Sequence, residues 1–332
     1  MRNKLPIAIA FFCAVYCFCV AATLVFFPEP APLEYPETWP FPVYDFSKNP
    51  LTKPGIALGR QLFYDPVLSK GSTISCSNCH LSYTGFTHVD HALSHGIHDR
   101  IGTRNSPALT NLAWARSFMW DGAVNHLDMQ ALAPISSPVE MEEKIENVVE
   151  KLQRSAGYRV MFFQAFGDSL ATGERLLKAL AQFELTLVSA NSKYDRVLAG
   201  KEIFTDQEQN GYRLFKNNCA RCHNEPFFTN YGFEKNGLPV DTALRDFGRM
   251  AITRQPADSL KFKVPTLRNI EFSYPYMHDG RFRKLGEVLN HYAHNKELGI
   301  ELTSNEKVDL TAFLLTLTDR TFLFNPDFAF PR

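Results

Sequence analysis

Apolar residues recur at helical spacing over residues 142–154 and again over residues 172–190, which predicts two amphipathic helices, each with one buried face. Thr205-Asp206-Gln207-Glu208 and Thr303-Ser304-Asn305-Glu306 have the form of capping boxes, so a helix is predicted to open at each. No alternating run is long enough to predict a sheet. Residues 28–54 are rich in proline and aromatics without a helical period and read as an extended tether followed by a wrapping arm. Residues 6–27 carry no charge. As a helix that run would be about 33 Å long, enough to cross a bilayer. It follows Arg2 and Lys4 and ends in Leu24-Val25-Phe26-Phe27 without a small-residue cleavage site, so an uncleaved anchor is favoured over a signal peptide. Basic residues stay on the cytoplasmic side, which places the rest of the chain in the periplasm, tethered to the inner membrane.

An internal repeat organises the remainder. Gly59-Arg60-Gln61-Leu62-Phe63 has its counterpart in Gly211-Tyr212-Arg213-Leu214-Phe215. Pro107-Ala108-Leu109-Thr110-Asn111, running on to Met119-Trp120-Asp121-Gly122, is matched by Pro265-Thr266-Leu267-Arg268-Asn269, running on to Met277-His278-Asp279-Gly280. The chain is therefore read as mainly α, with two copies of one small helical unit meeting near residue 200.

Composition narrows the chemistry. The 332 residues include 35 basic and 35 acidic side chains, a formal net charge of zero, which speaks against a nucleic-acid or polyanion binder. Of seven cysteines, Cys13, Cys17 and Cys19 lie in the N-terminal apolar run and read as apolar filler. The other four form Cys76-Ser77-Asn78-Cys79-His80 and Cys219-Ala220-Arg221-Cys222-His223, leaving none for a disulfide framework. Zinc would need four ligands at one place, and a redox Cys-x-x-Cys needs a β-α-β setting. Two thiols one turn apart can instead add to the two vinyl groups of one haem, with the next histidine beneath the iron. Two covalently bound haem c groups are predicted, on Cys76, Cys79 and His80 and on Cys219, Cys222 and His223. The domains are then residues 1–28 (signal or membrane anchor), 29–48 (linker), 49–200 (N-terminal haem c domain) and 201–332 (C-terminal haem c domain).

The sixth position of each iron decides between chemistry and electron transfer. Twelve residues after Gly122 stands Pro134, and twelve after Gly280 stands Tyr292. If the units superpose, the two residues share one place over their haems. Proline cannot ligate iron and a tyrosine phenolate can, so the first haem is predicted open and the second closed, with Met277, His291 and His294 as competing ligands. Near the first haem, Glu140 and Gln130 are candidate acid–base groups, because splitting peroxide requires a proton moved from its inner to its outer oxygen. The bland alternative for Glu140 is a charge at a helix N-terminus beside Glu142 and Glu143. Trp120 is a core residue or a relay between the haems. His88, His91, His95 and His98 concentrate in one loop, either as a polar surface or to supply a resting-state ligand to the first iron.

The chain resembles the bacterial diheme cytochrome c peroxidases and the related MauG enzymes over about residues 50–320. The resemblance rests on the two haem motifs, Arg104-Asn105-Ser106-Pro107, Trp120-Asp121-Gly122, Pro138-Val139-Glu140-Met141 and Pro275-Tyr276-Met277-His278-Asp279-Gly280. It implies that His80 and His223 are the proximal ligands of a peroxidatic and an electron-transfer haem. Glu140 and Gln130 would belong to the peroxidatic pocket, and Trp120 would stand between the haems. His95 would be the loop histidine that blocks the first haem until reduction. It further implies a calcium ion between the domains, with Asn105 supplying a side-chain oxygen and backbone oxygens near Lys263 and Pro265. The peroxidases usually carry methionine where this chain has Tyr292; MauG carries tyrosine there but lacks the loop histidine, so the chain combines features of both.

The implied activity is that of a cytochrome c peroxidase. Hydrogen peroxide would be reduced to water with electrons from a small cytochrome c or another redox-protein donor, a homodimer is an admissible state, and nucleic acid is not a partner. Two alternatives stand beside it: a MauG-like enzyme oxidising a protein side chain at a distance, and a diheme electron carrier without peroxide chemistry.

Overall fold

The computed structural model describes residues 26–295 and 298–331. Residues 1–25, which hold almost all of the expected anchor, lie outside that set. None of the described helices is long and apolar enough to cross a membrane. The helices are α1 (Lys53–Tyr64), α2 (Leu132–Ser136), α3 (Ile145–Arg154), α4 (Ala156–Phe166), α5 (Gly173–Leu185), α6 (Lys193–Leu198), α7 (Asp206–Asn218), α8 (Met250–Thr253), α9 (Leu285–His294), α10 (Ser304–Leu315) and α11 (Arg320–Leu323). Among the described residues, the extended structure is one short antiparallel pair, β1 (Phe233–Lys235) and β2 (Lys261–Lys263), with Glu234 opposite Phe262. The mainly helical reading holds.

Both predicted capping boxes are present: Thr205 and Thr303 each accept from the backbone of the glutamate three residues on, whose carboxylate bonds back. The two patterned helices are shorter than their periodicity suggested. α3 starts at Ile145 because Glu142 takes a left-handed conformation, φ 48°. α5 stops at Leu185, and Ser189 is instead gripped by Asn111 and Asp319. The proline-rich stretch ends at Thr52, which caps α1, so Lys53 and Pro54 belong to the first helical turn. It behaves as an arm: Trp39 is buried against Trp114 and Phe227, at centroid distances of 5.3 and 4.8 Å.

The repeat is a packing unit. α1 lies against α5, and α7 against α10. Each pair meets at the glycine of the repeated motif: a Cβ on Gly59 would fall 1.9 Å from the Ala179 carbonyl oxygen, and one on Gly211 2.0 Å from that of Asp309. Only a residue without Cβ permits that approach. The phenylalanine four residues on, Phe63 or Phe215, is fully buried in its own core. The first core gathers Leu58, Leu62, Phe86, Val148, Phe162 and Phe183; the second gathers Tyr194, Phe228, Ile270, Leu310 and Phe313.

The chain crosses between the halves along a polar seam. Asn111 and Asn269 occupy matched left-handed positions, φ 58° and 61°. Their side-chain oxygens accept from Ser189 N (2.9 Å) and Asp319 N (2.8 Å). Arg268, fully buried, grips both carboxylate oxygens of Asp195 at 2.8 Å and lies over the Trp39 ring. The C-terminal tail returns to the first half, where Phe322 and Leu323 join its core and Tyr64 Oη donates to the Phe328 carbonyl at 2.6 Å.

Candidate functional site

Both cysteine motifs fold into the same tight turn. The backbone N–H of Cys79 and His80 donate to the Cys76 carbonyl at 3.1 and 3.0 Å; those of Cys222 and His223 donate to the Cys219 carbonyl at 3.1 and 2.9 Å. The four sulfurs are free thiols in half-buried residues. His80 Nδ1 donates to the Phe86 carbonyl at 2.7 Å, and His223 Nδ1 to those of Phe228 and Pro265 at 3.1 Å each. Phe86 and Phe228 take matched left-handed conformations, φ 61° and 53°, which turn those carbonyls toward the rings. With the proton held on Nδ1, the Nε2 lone pair of each ring is free to bind a metal. Burial also lowers both imidazole pKa values, His80 to about 4, so the rings are neutral. Paired thiols beside an oriented neutral imidazole fit covalent haem at both motifs.

Around the second motif the protein encloses a cavity of about 520 Å³ whose lining includes Cys219, Cys222, His223, Met277 and Tyr292. Burial first, and then the neighbouring sulfurs of Cys219 and Cys222, push the Tyr292 hydroxyl pKa well above that of free tyrosine. A phenolate there requires a positive charge opposite it, which ferric iron would supply. Of the competing ligands, Met277 reaches this cavity, with its sulfur 3.8 Å from Asn236 Nδ2. His291 and His294 do not line it; His291 Nε2 is bonded to the Asn236 carbonyl at 2.8 Å, and His294 is exposed with Nδ1 on the Asn290 carbonyl at 2.7 Å.

At the first motif the histidine loop and the Glu140 turn are packed together. Cys79 Sγ lies 3.5 Å from the His95 carbonyl oxygen, and Ile97 N donates to the Glu140 carbonyl at 2.7 Å. A Cβ on Gly96 would fall 2.2 Å from the Val139 carbonyl oxygen, so glycine is needed after His95 for this contact. His95 Nδ1 bonds Asp99 at 2.8 Å, and its ring stacks on His91, which stacks on His88, at centroid distances of 4.0 and 5.2 Å. The three carboxylates considered together in the sequence differ in setting. Glu142 pairs with Lys70 and Arg100, and Glu143 with Lys151. Glu140 precedes α3 and makes no ion pair among the described residues; burial raises its carboxyl pKa, against a hydrogen bond to Ser137. Gln130 is buried, with Nε2 3.7 Å from Met119 Sδ. Pro134 lies in α2 and Tyr292 in α9.

Between the motifs, Asn105 joins Trp120 to the second half. Trp120 Nε1 donates to the Asn105 carbonyl at 2.8 Å, Asn105 N donates to the His278 carbonyl at 2.7 Å, and Lys263 N donates to the Trp120 carbonyl at 2.7 Å. Trp120, Asn105, Lys263 and Pro265 share the wall of the second cavity. The Asn105 amide nitrogen bonds the Ala92 carbonyl at 3.0 Å. Among the described residues no cluster of three or more His, Cys, Asp or Glu could hold a metal, so a calcium ion here would rest on amide and carbonyl oxygens.

Three features had escaped the reading of the sequence. His278 stands at the repeat position of Trp120, stacked on Phe262 at 3.6 Å with Nδ1 buried and without a partner; the repeat register already pointed to it. Arg104 binds Asp246 through two nitrogens, at 2.6 and 2.8 Å, and Asp121 at 2.6 Å, tying the halves together beside Trp120. Glu184 is buried on α5 with its pKa pushed up to about 8 by loss of solvent and then by Asp128, and its charge is felt at Cys76. No local pattern marked Glu184 as other than a surface helix residue.

Comparison with known proteins bears on this arrangement. A family model described as di-haem cytochrome c peroxidase matches residues 53–203. The cytochrome c551 peroxidase of Nitrosomonas europaea is 38% identical over 279 residues, 82% of this chain and 81% of its own. The methylamine utilization protein MauG of Methylorubrum extorquens is 37% identical over 302 residues, covering 85% and 82%. Among solved structures, a MauG-like protein associated with microbial copper homeostasis superposes with a TM-score of 0.83 at 30% identity, over 91% of this chain and 99% of that one. The diheme peroxidase BthA of Burkholderia thailandensis, 22% identical with a TM-score of 0.72 over 86% of this chain and 91% of its own, shares the fold.

Proposed function

The chain belongs to the di-haem cytochrome c peroxidase and MauG family, and from that premise we propose that it reduces hydrogen peroxide to water with electrons from a small cytochrome c or similar redox protein. The observation that carries this reading is the inequality of the two motifs. One has a half-buried carboxyl without an ion pair, Glu140, packed against the His95 loop; the other has Tyr292 in its cavity.

Cys76, Cys79 and His80 would hold one haem c, and Cys219, Cys222 and His223 the other. When bound, the haems would supply the redox chemistry, reduction of peroxide at one and electron transfer at the other. The chain's own residues do the rest. The Phe86 and Phe228 carbonyls fix the proton of each proximal histidine on Nδ1. Glu140 would take a proton from the inner peroxide oxygen and return it to the outer one; burial raises its carboxyl pKa, which makes it a stronger base. Gln130 would belong to the same pocket, and Trp120, on the wall of the second cavity, would relay electrons between the haems. The balance is H2O2 with two protons and two electrons giving two waters. His95 would be the histidine that this loop offers to the first haem, and the loop is held to the Glu140 turn by the Ile97–Glu140 backbone bond. Asn105 with the Lys263 and Pro265 carbonyls is the proposed calcium site, and residues 6–27 are the proposed inner-membrane anchor holding the catalytic body in the periplasm.

Tyr292 favours a second reading, in which the two haems share the oxidising equivalents and a protein side chain is oxidised at a distance, as in MauG-like action. Peroxide consumption with reduced cytochrome c separates the two. The peroxidase reading expects two donor molecules oxidised per peroxide; consumption of peroxide without donor turnover overturns it in favour of the second.

A further inference from the structure

The outward face of α4 differs from that of its neighbours. Its exposed positions are Ala156, Gly157, Val160, Phe163 and Gln164, one helical stripe without a charge. Val160 is 56% and Phe163 50% exposed. α3, directly before it, presents Glu146, Glu150 and Arg154 to solvent in the usual way. Phe26 lies on this face, its ring centroid 5.4 Å from that of Phe163, and it also covers Gly167, where an added Cβ would fall 2.8 Å from the Phe26 ring. Phe27 and Leu170, 83% and 51% exposed, add to the apolar surface. Apolar residues that are scattered singly need no explanation, whereas a contiguous patch marks an interface.

We propose that the patch formed by Phe26, Phe27, Val160, Phe163 and Leu170 is the face on which the folded body rests against a phospholipid bilayer. The proposal rests on the reading of residues 6–27 as a membrane anchor. Phe26 belongs both to the end of that uncharged run and to the patch, so no free linker separates them. Anchoring the run therefore brings α4 to the depth where headgroups meet acyl chains, where phenylalanine and valine side chains are favoured. Two acidic groups in the flanking segments are paired: Asp168 with Arg175 at 3.1 Å, and Glu150 with Arg154. Arg159, the single charged residue of α4, bonds backbone carbonyls of the preceding turn and adds a cation beside the patch, so anionic headgroups meet no net repulsion.

The test uses the full chain in vesicles of phosphatidylethanolamine and phosphatidylglycerol, with photoreactive benzoylphenylalanine placed in turn at Phe163, Phe27 and, as a control, Ile203, which is 85% exposed ahead of α7. Lipid adducts at positions 163 and 27, several-fold above position 203, are the expected result. Adducts at 27 and none at 163 overturn the docking face while leaving the anchor reading intact. Adducts at neither overturn both. A doubled protein mass from position 163 overturns the lipid assignment in favour of a second copy, and equal labelling at all three positions overturns specific docking.

Discussion

The two halves share a backbone plan and differ in what lies above each histidine. Both cross a helix pair at a glycine, both turn a left-handed phenylalanine carbonyl onto a proximal histidine, and both place an asparagine at the seam. Yet the first half brings a half-buried carboxyl and a histidine loop to its cysteines, while the second brings a half-buried tyrosine. The lesson is that one scaffold can present different side chains to two equivalent cysteine–histidine turns, which is what the proposed division between peroxide reduction and electron transfer requires.

The sharpest way to break that comparison is to remove the proposed proton carrier from one half. Glu140→Gln is expected to lower the peroxidase rate by about 10²–10⁴-fold with both haems still attached. A near-normal kcat would remove Glu140 from the mechanism. In the unaltered protein, burial of Glu140 moves the acidic limb of the kcat/KM profile upward from where an exposed glutamate would set it. The rate should fall as pH drops through that limb, because a protonated Glu140 cannot accept a proton.

Next come the glycines, which test whether the halves are equivalent scaffolds. Gly59→Ala and Gly211→Ala each force a Cβ into a facing carbonyl and should cost about 1–3 kcal/mol, read as similar falls in thermal midpoint. Strongly unequal falls would show that one helix pair carries the stability of the whole.

Glu184 on α5 offers a third comparison, since the corresponding position on α10 is Leu314. The Glu184 pKa is raised to about 8 in the fold, from an ordinary 4.5 in the unfolded chain. The folded state therefore binds more protons between those values. Its stabilising contribution is complete below about pH 4.5 and is lost as pH rises through 8. Glu184→Leu should flatten the thermal midpoint over that window and raise it at the alkaline end, by an amount on the order of a few kcal/mol at most. An unchanged pH slope would place the sensitivity elsewhere.

The mildest change asks whether Tyr292 closes the second iron. Tyr292→Met should raise the reduction potential of that haem while leaving the first unchanged, because a neutral thioether favours ferric iron less than a phenolate does. A redox titration that finds both potentials unmoved excludes Tyr292 as a ligand.

Much of this is legible in the linear chain. The cysteine–histidine turns, the capping boxes at Thr205 and Thr303 and the repeat depend on contacts within a few residues or on direct self-similarity, and these survive in a linear pattern. Helix ends are less legible, because α3 is cut short by a left-handed Glu142 and α5 by the grip of Asn111 and Asp319 on Ser189. Among the four ligand candidates at the second haem, spacing alone could not choose. The cavity wall admits Tyr292 and Met277 and leaves His291 and His294 outside.

What the amino-acid sequence by itself determined is therefore the covalent chemistry: two cysteine–histidine turns, on two copies of one helical unit, in a mainly helical chain. Only the tertiary structure decided that Glu140 is partly desolvated without an ion-pair partner among the described residues while Glu142 and Glu143 are paired, and that Trp120, Asn105 and His278 meet on one seam. The reason is physical. Attachment needs groups one helical turn apart, which chain geometry supplies, whereas desolvation and long-range hydrogen bonds exist only after distant segments have packed together.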